Sequence, residues 1–132
     1  MTVRVQAGRF DTGAEIESLV AGKPQIGGVA SFTGYVRDFS EASGVVAMTL
    51  EHYPGMTERM LEQIEAEARE RWKLEDSLII HRFGRMTVGE PIVLVVTASS
   101  HRQAAFDSCA FLMDWLKTKA PFCKREELAD GS

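Results

Sequence analysis

The chain has 132 residues and a formal net charge of −4, with 45% hydrophobic and 26% charged residues. This length predicts one domain over residues 1–132 with its own core, and no apolar run approaches the roughly 18–20 residues that cross a bilayer. Because the N-terminus lacks a signal-peptide pattern and the two cysteines have no zinc-ligand spacing, we expect a reduced, cytoplasmic protein, and the acidic balance argues against a nucleic-acid partner.

The first half of the chain predicts a strand, a short helix and then two longer strands. Alternation over Thr2–Gln6 predicts the first strand, and Asp11 is placed to cap a helix that ends at Gly22. Residues 28–37 and 45–53 are rich in β-branched and aromatic side chains, which favours a strand in each. A polar loop joins these two strands, so we expect them to pair as a hairpin with a mobile tip.

The middle of the chain predicts a helix followed by two more strands. Thr57 can cap a helix whose apolar residues recur at helical spacing as far as Trp72, while its other face carries charges typical of a solvated surface. Residues 78–83 and 92–99 predict strands, and the turn between them has room for a short additional strand.

The last predicted helix opens with a capping-box pattern, in which Ser100 is the N-cap and Gln103 occupies the third helical position. It runs to about Lys119 and must end near Pro121. The full order is β-α-β-β-α-β-β-α. This order predicts an α+β domain with a mainly antiparallel sheet and about three helices.

Positive charge is concentrated near the end of this acidic chain. Residues 101–125 hold five Lys or Arg against two Asp, a net of +3 that leaves −7 for the rest. Such a cluster favours a small anionic ligand or an acidic chain end over a polyanion. The apolar stripe of the last helix is predicted to contain Phe106, Cys109, Ala110, Met113 and Leu116. Lys117 prolongs this stripe, whereas Lys119 lies about 200° round and faces solvent. Partial desolvation would make Lys117 a candidate acid, base or nucleophile, and a snorkelling lysine is the alternative.

The other end of the same helix is a candidate anion site. His101 and Arg102 lie in its first turn, where the helix dipole already attracts negative charge; the alternative is that both side chains simply point into water. Arg37, at the end of a predicted strand, is a weaker candidate. Because a helix rises about 1.5 Å per residue, His101 and Lys117 are about 24 Å apart. One small ligand can therefore contact both only if a second copy of the chain contributes one of them.

The histidines and cysteines predict mostly structural roles. His52 and His81 lie within predicted strands, where a hydrogen-bonded structural histidine is expected. Cys109 falls on the apolar helix stripe and is expected in the core, while Cys123, near several cations, is a candidate reactive thiol. No P-loop, dinucleotide fingerprint, nucleophile elbow or metal-ligand constellation is present. We therefore expect neither a metal nor a cofactor.

Five stretches, in chain order, resemble the large, catalytic subunit of molybdopterin synthase: ASFTGYVRD, LEHYPGM, IIHRFG, SSHRQAAF and FLMDWLKTKAPFCKRE. The resemblance covers nearly the whole chain. It implies an α/β-hammerhead fold and a homodimer at the core of a heterotetramer with a small, ubiquitin-like sulfur-carrier subunit. The carrier's C-terminal Gly-Gly tail would end in a thiocarboxylate, whose sulfur is transferred twice to cyclic pyranopterin monophosphate, forming the dithiolene of molybdopterin.

The resemblance also implies site residues. Lys117 matches the family's essential lysine beside the thiocarboxylate, and Lys124 matches its second functional lysine. The implied substrate contacts are Tyr35, Val36, Arg37, His101, Arg102, Arg125 and Glu126, and the implied pocket wall is Phe32 and Met113. Tyr35 departs from the family pattern, in which a lysine is common at this position. The chain ends at EELADGS, where the family usually continues into a basic, tryptophan-containing tail, so the tail is either short or truncated.

Two other functions fit parts of this pattern. A non-catalytic module that binds acidic peptide tails or nucleotide-like anions would need the cations but not a catalytic lysine. A cysteine-dependent sulfur carrier would use Cys123. The binding module predicts that Lys117→Arg retains function. The cysteine-dependent carrier predicts that Cys123→Ala loses activity.

Overall fold

The computed structural model of the protein describes residues 2–38 and 44–131. In chain order its elements are β1 (Thr2–Gln6), α1 (Thr12–Val20), β2 (Gly28–Tyr35), β3 (Val45–His52), α2 (Met56–Trp72), β4 (Asp76–Arg82), β5 (Gly84–Thr87), β6 (Pro91–Ser99), α3 (Arg102–Lys119) and β7 (Phe122–Leu128). The α+β class and the three helices are confirmed. Strand β7 was not predicted. Strand β5 is the short additional strand that the predicted turn before β6 could contain.

The strands form two sheets. One has the order β1-β4-β6-β2, in which β1 and β4 are parallel and the other pairs are antiparallel. The other is antiparallel, with the order β5-β3-β7. The predicted hairpin of β2 and β3 is therefore wrong, because β2 pairs with β6 and the connection after β2 carries the chain into the second sheet. The polar loop expected to form the hairpin's mobile tip spans residues 38–44, of which 39–43 lie outside the described residues.

The helix starts follow local hydrogen bonding, and two of the three predicted caps are wrong. The Asp11 carboxylate accepts a hydrogen bond from the Ala14 N–H at 3.1 Å, which confirms the cap of α1. Helix α2 begins after Gly55 rather than Thr57, because the Thr57 hydroxyl accepts the Tyr53 N–H at 2.9 Å instead.

Helix α3 lacks the predicted capping box. Its N-cap is His101, whose side chain makes no capping hydrogen bond, and not Ser100. The Gln103 side-chain amide donates to the Asp107 carboxylate at 2.9 Å, one helical turn further on, so it does not return to the N-cap. The N-cap side chain therefore caps none of the backbone N–H groups of the first turn.

The larger sheet is covered on both faces. Helices α2 and α3 pack on one face through a cluster that includes Leu61, Ile64, Ile79, Val95, Cys109 and Leu112. Helix α1 covers the other face, where Leu19 packs on Leu78, Ile80, Leu94 and Val96. The predicted core position of Cys109 is confirmed, and burial raises the pKa of its thiol to about 11. Within the described residues, no helix has the length and apolarity needed to cross a membrane.

Glu65 of α2 is a carboxylate buried in this core. Its Oε2 accepts hydrogen bonds from the Ser77 hydroxyl at 2.7 Å and from the Thr2 N–H at 3.3 Å. Its Oε1 is buried without a hydrogen-bond partner in the described part of the chain. Desolvation raises the pKa of Glu65 to about 7, although the Ser77 hydrogen bond opposes this shift. The folded state therefore favours the protonated, neutral carboxyl group.

Replacing Glu65 by glutamine should change how stability depends on pH. Because the pKa is raised on folding, from 4.5 to about 7, the stabilising preference for the proton is fully present below 4.5 and is lost as the pH rises through 7. The free energy of unfolding of Glu65→Gln relative to wild type should thus increase between pH 4.5 and 8, on the order of 1–3 kcal/mol in total. Urea unfolding at several pH values measures this difference, and a flat difference would contradict it.

Candidate functional site

A cavity of about 510 Å³ lies where the two sheets and the C-terminal end of α3 meet. Its charged lining side chains are Arg37, Lys117, Lys124 and Glu126. Its apolar lining includes Val36, Val45, Met48, Leu50, Leu116 and Phe122. An apolar interior with three cations and one carboxylate fits a ligand that carries negative charge on an organic body.

Strand alternation selects which residues of β7 face this cavity. Phe122, Lys124 and Glu126 line it, and successive side chains of a strand point to opposite faces. Cys123 and Arg125 therefore lie on the other face. There, the Cys123 Sγ is 3.1 Å from the Tyr53 hydroxyl oxygen. The candidate reactive thiol is thus exposed, but it does not line the cavity.

A buried arginine holds the end of β2 beside the cavity. The Arg82 guanidinium donates to the carbonyl oxygens of Ala7 and Pro91 and to the Glu90 carboxylate. The backbone of Glu90 in turn accepts the Val36 N–H at 2.9 Å. This chain of contacts fixes the backbone just before Arg37, so the position of Arg37 at the cavity depends on Arg82.

The buried face of α3 differs from the predicted stripe. Buried residues follow the sequence Ala105, Cys109, Leu112 and Leu116, whereas Phe106, expected on the stripe, is 61% exposed. Lys117 is one residue past Leu116, about 100° round the helix, and it is exposed rather than partly desolvated. The expectation of a desolvated Lys117 is therefore wrong for this chain, although Lys117 does line the cavity. Lys119 is exposed, as predicted, and lies outside the cavity lining.

The structure brings together six of the site residues that the resemblance implied and leaves five apart. The six at the cavity are Tyr35, Val36, Arg37, Lys117, Lys124 and Glu126. The five that do not line it are Phe32, His101, Arg102, Met113 and Arg125. Of these, Phe32 is 46% exposed, and Met113 packs against the core between the sheet and the helices. The substrate roles of all eleven stay predictions.

The start of α3 is held tightly against the start of β2. The Gly27 N–H donates to the Ser99 carbonyl at 2.9 Å. A Cβ atom on Gly27 would lie 2.2 Å from the Ser100 carbonyl oxygen, a contact that no side chain can make without backbone movement. This glycine therefore fixes the segment that presents His101 and Arg102, which are both exposed.

His81 is a cavity residue that the sequence analysis assigned only a structural role. Its Nδ1 lies 2.9 Å from the Arg82 carbonyl oxygen, and its ring stacks on Phe122 with centroids 3.8 Å apart. The hydrogen-bonded structural role is confirmed, but His81 also lines the cavity. Alternation places His81 on the same face of β4 as Ile79, and its stacking partner comes from β7, which was not predicted. The other strand histidine, His52, packs its ring against Phe83 at 4.2 Å.

No group of three or more potential metal ligands occurs among the residues that the structure describes. Among the described residues, the charged lining of the cavity is rich in donors and includes one carboxylate, Glu126. Such a site suits hydrogen bonding and charge pairing with an anion.

Comparison with known proteins identifies the family of the chain. The family model described as MoaE protein matches residues 5–119. The chain is 56% identical over 131 residues to the molybdopterin synthase catalytic subunit of Ralstonia nicotianae, covering 99% of this chain and 74% of that protein. It is 52% identical to a solved molybdopterin biosynthesis MoaE protein from Burkholderia ambifaria, with a TM-score of 0.87 over 98% of this chain and 85% of the other.

A more distant structure shares the fold alone. It is a protein–protein complex of subunits 1 and 2 of molybdopterin-converting factor from Helicobacter pylori, 20% identical, with a TM-score of 0.80 over 96% of this chain and 84% of that one. The motifs, the family match over most of the chain and the close relatives agree. The chain belongs to the MoaE family, whose relatives are catalytic subunits of molybdopterin synthase.

Proposed function

We propose that this chain transfers sulfur from the C-terminal thiocarboxylate of a small carrier protein to cyclic pyranopterin monophosphate, forming the dithiolene of molybdopterin. The observation that carries the proposal is the cavity in which Lys117, Lys124 and Arg37 converge on an apolar interior. Both reactants are organic molecules with anionic groups, and this lining is complementary to them.

The cavity residues have separate roles in this proposal. Lys117 and Lys124 are ammonium donors that stabilise the thiocarboxylate and deliver a proton to the substrate oxygen that the sulfur displaces. Water then hydrolyses the resulting thioester, which leaves the sulfur on the pterin and an ordinary carboxylate on the carrier. Arg37, with a planar guanidinium, binds an anionic group of the substrate. Once the carrier tail covers the exposed cations, the apolar lining, including Met48 and Leu50, helps to exclude water and strengthens these electrostatic interactions.

The partner is a small, ubiquitin-like carrier whose Gly-Gly tail enters the cavity. Support comes from the name of the close relative, a catalytic subunit, and from the two-subunit complex of the distant Helicobacter pylori protein. We propose a homodimer of this chain at the core of a heterotetramer with two carriers. A homodimer also accounts for His101 and Arg102, because these residues are about 24 Å from Lys117 along α3 and need a second chain to reach the same substrate.

Reconstitution tests the proposal directly. The chain is mixed with a thiocarboxylated carrier and cyclic pyranopterin monophosphate, and the dithiolene product is measured. We expect product from this mixture and none when the carrier ends in an ordinary carboxylate. Cys123→Ala should be as active as wild type, because Cys123 does not line the cavity. Absence of product from the complete wild-type mixture would refute the proposal.

We also expect the reaction to need no metal ion. The proposed chemistry uses ammonium and guanidinium donors with an already activated thiocarboxylate, so a Lewis acid has no required step. Treatment of the complete mixture with a chelator, followed by desalting, should leave the rate of dithiolene formation unchanged. Loss of activity that a specific divalent ion restores would contradict this expectation.

A further inference from the structure

The interior of the cavity contains one buried side chain that can hydrogen-bond. Among the lining residues that the structure describes, the buried ones are Val36, Val45, Met48, Leu50, Leu116 and His81. Five of them are apolar, and His81 is 8% exposed. The charged lining residues Arg37, Lys117 and Lys124 are all exposed. A polar group at the buried interior of a binding cavity usually fixes the orientation of the ligand.

The contacts of His81 determine its tautomer. A carbonyl oxygen can only accept, so the Nδ1 that lies 2.9 Å from the Arg82 oxygen must carry the proton. Burial lowers the pKa of the imidazole to about 4, although the hydrogen bond to Arg82 raises it, so the ring is neutral near pH 7. The neutral Nδ1–H tautomer leaves Nε2 as a hydrogen-bond acceptor.

The acceptor belongs to a ring that lines the cavity and is held in one orientation. Nε2 has no hydrogen-bond partner among the described residues, and it is not among their fully buried, unpartnered atoms. The ring cannot turn freely, because Phe122 stacks on it at an angle of 17° while Arg82 holds Nδ1. A fixed acceptor is preorganised for a donor of fixed geometry.

We propose that His81 is a specificity-determining residue, whose Nε2 accepts a hydrogen bond from an N–H group of a reactant in the cavity. This inference rests on the proposed function for the identity of the reactants. Both of them carry such donors: the reduced pterin has ring N–H groups and an exocyclic amine, and the carrier tail has peptide N–H groups. The cations of the site can only donate, so they cannot recognise either kind of N–H group. The Glu126 carboxylate of the lining can also accept, but it is only half-buried, whereas His81 is buried.

Nitrogen NMR of the wild-type chain, labelled with ¹⁵N-histidine, tests the hydrogen bond without any substitution. The His81 Nε2 should give the resonance of an unprotonated ring nitrogen, assigned from its disappearance in His81→Asn. Cyclic pyranopterin monophosphate and the unactivated carrier, ending in a carboxylate, are added separately. A marked shift of this resonance toward that of a hydrogen-bonded nitrogen identifies the donor. No shift with either reactant would overturn the inference.

A matched pair of variants tests the contribution to affinity. The amide of His81→Asn can replace Nδ1–H against the Arg82 carbonyl but leaves no acceptor at the Nε2 position, whereas the longer His81→Gln can place its amide oxygen there. Both variants lose the imidazole stack on Phe122. For the reactant that moves the resonance, the Kd of His81→Asn should rise about tenfold and that of His81→Gln by less than about threefold. Equal affinity of His81→Asn and wild type would overturn the inference.

These measurements separate the inference from the proposed function. Binding and NMR shifts are measured on the full chain without turnover, and the wild-type dithiolene assay is run separately. If wild type makes dithiolene but His81 responds to neither reactant, only the role of His81 is wrong. If wild type makes no dithiolene, the proposed function is wrong, whatever the NMR result.

Discussion

Lys117→Ala should lower the rate of dithiolene formation by about 10²–10⁴-fold, the loss expected when a positioned proton donor is removed. Lys117 lines the cavity from the last turn of α3, next to the buried Leu116. Because Lys117 is exposed, truncating it removes no core packing, and the melting temperature should stay close to that of wild type. Single-turnover assays with the thiocarboxylated carrier measure the chemical step.

Lys119→Ala is the matched control, because Lys119 has the same charge on the same helical turn but does not line the cavity. It should retain nearly the full rate. Lys117→Arg distinguishes catalysis from binding alone, because arginine keeps the charge but does not release a proton near neutral pH. If Lys117→Arg were fully functional, a binding module would be favoured, and a near wild-type rate for Lys117→Ala would remove Lys117 from the mechanism.

Mixed dimers of Lys117→Ala and His101→Ala chains should recover about half the activity of a wild-type dimer, although each homodimer is inactive. This result is expected if each site combines Lys117 of one chain with His101 and Arg102 of the other across a two-fold interface. One site of the mixed dimer then carries both substitutions, and the other is entirely wild type. Co-expression with two different affinity tags isolates the mixed species for assay.

The alternative arrangement gives a different outcome. If Lys117 and His101 acted in the same site of one chain, both sites of the mixed dimer would carry a substitution and no activity would return. Native mass spectrometry must show that the mixed species has formed. A confirmed but inactive mixed dimer would therefore exclude the shared site, and His101 would then need a role outside it.

The sequence predicted the elements better than their pairing. Helices and buried strands have periodic apolar patterns, so eight of the ten elements were predicted outright. Strand β7 was missed because FCKREEL is mostly charged, as an edge strand of a small sheet can be. The wrong hairpin has a different cause. Alternation identifies a strand but does not identify its partner, and β2 pairs with the distant β6.

Local sequence patterns also predicted part of the candidate site. Helical spacing and the motifs identified Lys117, but helical phase was misjudged by one residue, because the small Ala105 rather than the large Phe106 faces the core. The cavity role of His81 could not be found without β7, since Phe122 provides both its stacking partner and part of the lining. Contacts between distant segments determine such a site, and no local pattern contains them.

The alternation of β7 limits which changes in chain length this protein can accept in evolution. A substitution on this strand alters one side chain, but an inserted or deleted residue between Pro121 and Lys124 would reverse the two faces of the strand beyond it. With one residue inserted directly after Pro121, Cys123 and Arg125 would replace Lys124 and Glu126 at the cavity, although every original residue would still be present. Natural variation in this segment should therefore conserve its length more strictly than its composition.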